Sequence, residues 1–400
     1  MSDGRDEFTA RLVGAIGDID PGDWDRCAGG DNPFVSHAFL HALEESGSVG
    51  DRSGWWPQHM VLSDSGNSGK IVGCLPLYLK NNSYGEYVFD HAWAHALEQA
   101  GGRYYPKLQC AVPFTPVPGP RLLTESRDPA VKRALVRGAV EFARRMGVSS
   151  LHVTFASEAD AAVMAEAGLL QRLGQQFHWH NRGYGSFDDF LATLSSRKRK
   201  AIRKERRAVQ EAGITVEARH GGEMTKALWD AFFRFYTDTY DRKWGAPYLT
   251  RRFFDLVSER MPEKVVVFFA FREGRPVAGA LNFRGADTLY GRNWGCAEDH
   301  KFLHFECCYY QAIDYAIAHG LARVEAGTQG PHKIQRGYLP VATYSGHWIA
   351  HDGFRAAVAD FLRRERAAVR EEMAWLEREH SPYRREDGEP AGCPEVARLS

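Results

Sequence analysis

The 400-residue chain has no excess charge of either sign: 51 Lys and Arg oppose 51 Asp and Glu. That balance excludes a global field drawing the whole molecule onto nucleic acid or a membrane. Cysteine is sparse, seven in all (27, 74, 110, 296, 307, 308 and 393), with no CxxC pair and no metal-ligand spacing. Such scattered thiols argue against a disulfide framework or a structural metal, and suit a reducing cytoplasm. No run approaches the ~18 apolar residues that a membrane span needs. The opening MSDGRDEFTARL carries acids and lacks the apolar core of a secretion signal. The expectation is a soluble, cytoplasmic protein.

What is present is ordinary globular material, 44% hydrophobic and 26% charged. The length suffices for two domains, since single cores stop growing near ~250 residues. The first twenty residues read as a polar lead-in. Residues 33 to 46 read as a helix capped near Ser36. In IVGCLPLYLK, Pro76 marks an edge strand or a bulge, because proline has no N–H for the ladder. From Pro129 the pattern is regular. VKRALVRGAVEFARRM is an amphipathic helix ending at Gly147, SSLHVTF a strand, EADAAVMAEAG a helix, and LLQRLGQQFHWH a strand or hairpin. The later chain repeats the order with VVVFFAF, PVAGALNF, ECCYYQAIDYAIAHG and LARVEAG. The pattern predicts two similar α/β halves, residues 1–182 and 183–353, then a long helix over 354–380 and a disordered tail over 381–400.

The chain's most suggestive stretch is EAGTQGPHKIQRGYLPVATYSGH, residues 325 to 347. Gly327 and Gly330 frame a loop, from which His332, Lys333 and Arg336 emerge within five positions. On a helical turn 332 and 336 share a face, as do 333 and 336. An imidazole and two cations then surround one small volume beside the strand carboxylate Glu325. The less eventful alternative is that Glu325 pairs with Arg336 and pins the loop. Tyr344 and His347 follow as candidate substrate contacts. Upstream, Glu86, Asp90, Tyr105 and Lys107 fall in a segment dense in aromatics and proline, where they either line a cleft or stand as loop residues with polar tips in water. Arg242 and Trp244 border a glycine–proline turn that reads as a substrate rim.

The second strong signal is SSRKRKAIRKERRAVQEAG. From Arg197 to Arg207 there are eight Lys or Arg and one Glu, a local charge of +7 (eight minus one). Leu194, Ala201, Ile202, Ala208 and Val209 give this helix an apolar face, so its basic face points outward. Such a face is either merely solvated or suits a phosphate-rich ligand such as tRNA, a nucleotide-linked precursor or coenzyme A, read through its phosphates without any sequence code. Arg197, Lys198, Arg199, Arg203 and Lys204 are the candidate donor contacts.

The doubled pattern, the basic SSRKRKAIRKERR helix, FYTDTYDRKWGAPYL and LHFECCYYQAIDYAI…EAGTQGPHKIQRGYLPVATYSGH resemble FemAB-like proteins. NPFVSHAFLHALE and YYPKLQCAVPFTPVPGPRLL resemble the same group, a branch of the GNAT superfamily associated with peptidoglycan biosynthesis or recognition. The resemblance runs over roughly residues 20 to 375. It implies an α/β fold of tandem GNAT-like domains with a long C-terminal helix. FemAB proteins move an amino acid from aminoacyl-tRNA to the amine of a cell-wall precursor. Ordinary GNAT enzymes hold acetyl-CoA with an RxxGxG/A loop, and this chain departs there: LYGRNWGCAEDHK offers only Gly291 and Gly295. Tyr290 and Arg292 in that segment are further candidate contacts.

The resemblance implies attack of a primary amine on an acyl ester or thioester. No cofactor is expected to be bound permanently, the donor being aminoacyl-tRNA or an acyl-CoA or carrier thioester. The tetrahedral oxyanion needs a donor, either a backbone N–H at an irregular strand or a cation such as Lys333 or Arg336. The amine needs a base, for which Glu306, Glu325 and His332 are available. No Ser-His-Asp order or Cys-His pair is evident, so direct transfer is expected. Two other readings stay open: a CoA-dependent N-acetyltransferase, and a non-catalytic module binding a cell-wall precursor or tRNA.

Overall fold

A computed structural model describes residues 8–66, 69–126, 128–241, 245–327 and 330–384. The first half contributes strands β1 (Phe8–Val13), β2 (Trp55–Pro57), β3 (His59–Asp64), β4 (Ile71–Leu75), β5 (Leu77–Lys80), β6 (Lys107–Cys110), β7 (Leu123–Thr124), β8 (Ser150–Ala156) and β9 (Leu170–His180). Its helices are α1 (Pro21–Ala28), α2 (His37–Glu45), α3 (His91–Gln99), α4 (Pro129–Met146) and α5 (Glu158–Glu166). The second half contributes α6 (Phe187–Thr193), α7 (Ser196–Glu211), α8 (Lys226–Asp241), α9 (Arg251–Arg260), the single turn α10 (Leu303–Phe305), α11 (Gln311–Ala318) and α12 (Asp352–His380). Its strands are β10 (Ile214–His220), β11 (Val265–Arg272), β12 (Arg275–Arg284), β13 (Thr288–Cys296), β14 (Arg323–Glu325) and β15 (Leu339–Ile349).

Local signals place many of these elements. The Ser36 hydroxyl accepts the N–H of Phe39 at the start of α2, and Gly147 closes α4 in the left-handed conformation at φ 65°. Pro76 does more than mark an edge. It divides one run between two sheets: β4 pairs with β3 and β7, whereas β5 pairs with β2 and β6. The lead-in is also structured, since β1 lies antiparallel to β3.

The described strands form a four-stranded sheet, β1-β3-β4-β7, and an 11-stranded sheet, β10-β11-β12-β13-β14-β9-β15-β8-β6-β5-β2. The large sheet runs through both halves by exchange. The last strand of the first half, β9, pairs with β14 of the second, and β15 of the second pairs with β8 of the first. The two exchanged strands also pair with each other along their length. Helix α12 lies over them, burying Val358 and Leu362 and joining Glu365 to Arg172 of β9 at 2.7 Å.

Strand β11 shows why VVVFFAF lacks alternation. Val265, Val267 and Phe269 enter the core under α8 and α9, and Val266, Phe268 and Ala270 enter the core under α7 and α11. A strand covered on both faces reads as a continuous apolar run. Each fully buried Val or Phe there contributes about 1.5–3 kcal/mol. Four residues of the expected disordered tail are packed instead. Tyr383 bridges Leu194, and its hydroxyl donates to the Gly337 carbonyl at 2.9 Å. Residues 385–400 lie outside the described set.

Candidate active site

Two parallel pairings stand out among the described strands, one in each half. Strand β6 runs parallel to β8 up to Cys110↔Val153, and β13 runs parallel to β14 up to Tyr290↔Glu325. Beyond those points each pair diverges, and the halves differ in what fills the gap. In the first half the chain itself enters. Gly119 bridges Ala156, and the buried Arg121 donates to the carbonyls of Thr154 and Val117. Asp160 accepts the N–H groups of Arg121 and Leu122. In the second half the gap is open. Gly291, Arg292, Asn293 and Trp294 of β13 face Ala326, His304, Cys308 and Tyr309 across a cavity of about 100 Å³.

Backbone irregularities concentrate at this cavity. The β12–β13 register changes between Leu281↔Asn293 and Asn282↔Gly291, which makes Arg292 the inserted residue of a bulge. On the opposite wall, Phe302 is left-handed at φ 67°, and Glu306–Tyr310 winds as a π-helix ahead of α11. Bulges and π-turns both re-aim side chains and recur at functional sites. The sequence predicted one continuous helix here, because a π-turn keeps an ordinary helical composition.

Glu325 ends β14 at 5% exposure. Its Oε1 lies 3.5 Å from Arg323 Nε, and its Oε2 lies 3.9 Å from His178 Nε2 with no hydrogen-bond partner among the described residues. Burial pushes the carboxyl up to about 8, Arg323 opposing and Asp287 reinforcing. Lys333 is 2% exposed and its Nζ donates to the Gly327 carbonyl at 2.8 Å. Burial pulls this amine down to about 8. Burial thus moves a carboxyl at the end of β14 and an amine on the following turn each toward neutrality, a kind of shift that clusters at functional sites.

The residues around them divide differently from expectation. Pro331–Arg336 is a 3₁₀ turn, whose i and i+3 side chains eclipse. Lys333 and Arg336 therefore share its buried face, whereas His332 is exposed with Nε2 2.9 Å from the Tyr309 hydroxyl. Arg336 does not pair with Glu325. It donates to both carboxylate oxygens of Glu205 at 3.0 Å and to the His332 carbonyl at 2.8 Å, and lies over the Phe305 ring. Glu306 is withdrawn from the cavity: Arg206 meets it at 3.1 Å and Gln311 donates to it at 2.8 Å. Arg206, expected on the outer basic face, also holds Asp314 at 2.7 Å.

Tyr290 is buried on β13, and Arg292 donates to the Phe114 carbonyl, reaching into the first half. Tyr344 and His347 lie further along β15, away from the 331–336 turn. Tyr344 is half-buried and His347 is buried, its Nδ1 2.7 Å from Nδ1 of His152. Arg242 and Trp244 lie outside the described residues.

Glu86, Asp90 and Lys107 come together, but inside the first half rather than on a cleft wall. Lys107 is 0% exposed, and its Nζ donates to Ser83 Oγ at 2.8 Å, Glu86 Oε2 at 2.8 Å and Asp90 Oδ2 at 2.5 Å. Lys80, which the sequence reading passed over, lies 3.4 Å from Glu86. Burial lowers that second lysine to about 7 against the pull of Glu86. Tyr105 is half-buried at the edge of this network, bonded to Ser83.

Helix α7 passes beside the 331–336 turn. Ile202 and Val209 are buried, and Arg203 meets Asp188 at 2.8 Å. Arg197, Lys198, Arg199, Lys200, Lys204 and Arg207 form no ion pair among the described residues. Lys198 is lowered by burial and by the cations Arg197 and Arg336.

A sequence model of the FemAB-like family, described as peptidoglycan biosynthesis/recognition, matches residues 15–385. This chain belongs to that family. The comparison with curated proteins gave no match. Among solved structures, FemX aligns with TM-score 0.53 at 11% identity, over 85% of this chain and 98% of FemX. L-PGS from Bacillus licheniformis aligns with TM-score 0.50 at 11% identity, over 84% of this chain and 97% of that one. A conserved protein of unknown function from Bacteroides thetaiotaomicron gives TM-score 0.51 at 11% identity, over 86% and 100%. At such identity the likeness is one of fold, a mixed α/β arrangement that in this chain ends in a long C-terminal helix. Around the cavity and Glu325, sequence reasoning missed His178, Tyr309 and the bulge at Arg292. Only Glu205, the lone acid in the basic run, carried a signal that could have been read.

Proposed function

We propose that this FemAB-like protein is an N-acyltransferase that moves an acyl or aminoacyl group directly from an activated carrier to a primary amine. Transfer occurs in the cleft where β13 and β14 part. Residues 183–353 then form the donor half and residues 1–182 the acceptor half. The observation that carries this reading is the contrast between the two divergent strand pairs, one plugged by its own chain and one open beside a buried carboxyl.

The amine nitrogen attacks the acyl carbon, a C–N bond forms, and the C–O or C–S bond to the carrier breaks. The carrier leaves as its hydroxyl or thiol. Glu325, once ionised, takes the proton that the amine loses. Backbone amides of the Gly291–Asn293 bulge serve the oxyanion, because Arg336 is held by Glu205 and Lys333 by Gly327. Burial raises the Cys308 thiol, which borders the cavity, so it makes a poor nucleophile. That supports direct transfer.

The basic face of α7 supports a polyanionic carrier. From Arg197 to Arg207 it extends roughly 15 Å at 1.5 Å per residue. A stripe of that length faces several phosphates in succession, which favours aminoacyl-tRNA over a thioester carrier. The test incubates the protein with charged tRNA, acyl-CoA and a panel of primary amines and reads transfer by mass spectrometry. Acylated amine from either carrier in wild type, with loss in Glu325→Gln, is the expected result. No transfer from any carrier removes the reading.

A further inference from the structure

Arg292 stands both where the two halves meet and where the cleft is built. It is the inserted residue of the β13 bulge, so the amides of Gly291–Asn293 depend on how it is held. Its guanidinium leaves the second half, donating to the Phe114 carbonyl and lying 5.7 Å from the centroid of the Phe34 ring. Both partners belong to the first half. Arg292 also bears on Glu325, whose ionised form its charge favours.

The carbonyl that holds Arg292 is itself held. Phe114 is left-handed at φ 57°, a costly conformation for a bulky side chain. Its N–H donates to the Gly85 carbonyl at 3.1 Å, and its ring stacks on Tyr248 with centroids 4.7 Å apart and planes 12° apart. The Trp55 ring meets it edge-on at 5.8 Å. Gly85, at φ 77°, leaves no room beside it: a Cβ there would lie 2.5 Å from the Phe114 ring. The loop around Gly85 is fixed in turn by Lys107, which donates to Ser83, Glu86 and Asp90, and by Lys80, which donates to the Tyr84 carbonyl at 2.9 Å. The space walled by Tyr87, Phe114, Tyr248 and Arg292 is about 20 Å³, room for one water and no ligand. A close-packed chain of contacts thus runs from the buried charge network of the first half to the bulge of the second, with the strained Phe114 as its middle link.

We infer that Arg292 is a positioning residue through which the first half sets the transfer cleft of the second. The Phe114 carbonyl fixes the guanidinium, which in turn steadies the Gly291–Asn293 amides and keeps a positive charge near Glu325. Arg323 on its own strand, Asp287 and Tyr290 at the start of β13, Arg292 in the bulge and His178 on β9 all bear on that carboxyl. Arg323 and Arg292 favour its charge and Asp287 opposes it, while burial holds His178 neutral. Among these, Arg292 is the charge that the first half holds through Phe114. The effect on transfer rests on the transferase reading; the coupling of Arg292 to Glu325 does not.

The test uses the full chain labelled with 13C at its glutamate carboxyls, in which Glu325→Gln identifies the Glu325 resonance. Titration by NMR then reads that carboxyl without turnover. In Arg292→Met its pKa should rise above about 8, by roughly 0.5 or more, and Arg292→Lys should restore part of the difference. Gly85→Ala, in the first half, frees the guanidinium by displacing Phe114 and should raise the same pKa. In an Arg292→Met background it should add nothing, because the two changes act along one path. If Gly85→Ala does not fold, Tyr248→Leu, which removes the stack on Phe114, takes its place with the same expectation. A Glu325 pKa unmoved in Arg292→Met overturns the inference. So does a Gly85→Ala or Tyr248→Leu variant that gives no shift, or the same shift with and without Arg292. With carrier and amine supplied, Arg292→Met should lose about 10²-fold in kcat with KM within a few-fold. Unchanged kcat beside active wild type overturns the positioning role. If the resonance shifts as expected and wild type transfers from no carrier, the transferase reading fails while the coupling stands.

Discussion

Replacing Glu325 by Gln separates a catalytic carboxyl from a structural one. The side chain is 5% exposed, and burial lifts its carboxyl from 4.5 to about 8. The folded state therefore keeps its proton between about pH 4.5 and 8 while the unfolded chain gives it up. Stability contributed by this group is fully present below pH 4.5 and is lost as pH rises through 8. At about 1.4 kcal/mol per unit, the loss is about 3 kcal/mol at pH 7 and about 5 kcal/mol above pH 8. Gln cannot ionise, so Glu325→Gln lacks this dependence. Urea titrations at pH 5 and 8.5 read it: the stability difference between variant and wild type should grow by several kcal/mol in the variant's favour. Transfer should behave in the opposite sense. Wild-type kcat should rise with an apparent pKa near 8, and the variant should lose about 10²–10⁴ of it. A variant with wild-type pH dependence of stability refutes the buried, neutral carboxyl. A variant that is stable yet fully active refutes its role as base.

Arg199→Glu with Lys204→Glu should leave the melting temperature within a few degrees and weaken tRNA binding. The salt slope should fall by roughly 0.7–0.9 for each phosphate that the variant no longer neutralises; an unchanged slope leaves α7 as plain surface. Lys107→Met strands two buried carboxylates, Glu86 and Asp90, and should cost about 3–5 kcal/mol, measured by chemical denaturation. A cost below about 1 kcal/mol means that the network is solvated in solution. Cys308→Ala should retain transfer to within a few-fold and show no burst of acyl-enzyme by rapid-quench mass spectrometry. Loss of about 10³ or more would indicate a covalent intermediate.

The fold was legible where the sequence carries local physics. Ser36 caps α2, Gly147 and Gly320 close helices in the left-handed region, and period and length identify β8 and α4. The pairing of the strands was not legible. Alternation tells which side chains face a core, not which strand lies alongside, and nothing in LPVATYSGHWI announces β8 as its neighbour. The site follows the same division. Gly327 and Gly330 framed the loop, so the strand-end position of Glu325 and the turn that carries Lys333 were legible. Glu306 was misread because the arginine that claims it sits 100 residues earlier in α7. Glu86, Asp90 and Lys107 looked like cleft residues because charge in a loop reads as exposure, and burial of a balanced cluster leaves no mark in composition.

The strand exchange bears on how the chain is made. His152 and His347, neighbours in the finished sheet, are 195 residues apart. A chain emerging from the ribosome at about 5–20 residues per second leaves β8 waiting roughly 10–40 s for β15. During that time β8 and β9 are open edges with unmet N–H and C=O groups, the surfaces on which nascent chains pair wrongly with one another. What shields residues 150–180 until translation has passed residue 349 therefore bears on the yield of this protein in a cell. Slowing elongation between those points should lower the soluble fraction, and holding chaperones at that segment should restore it.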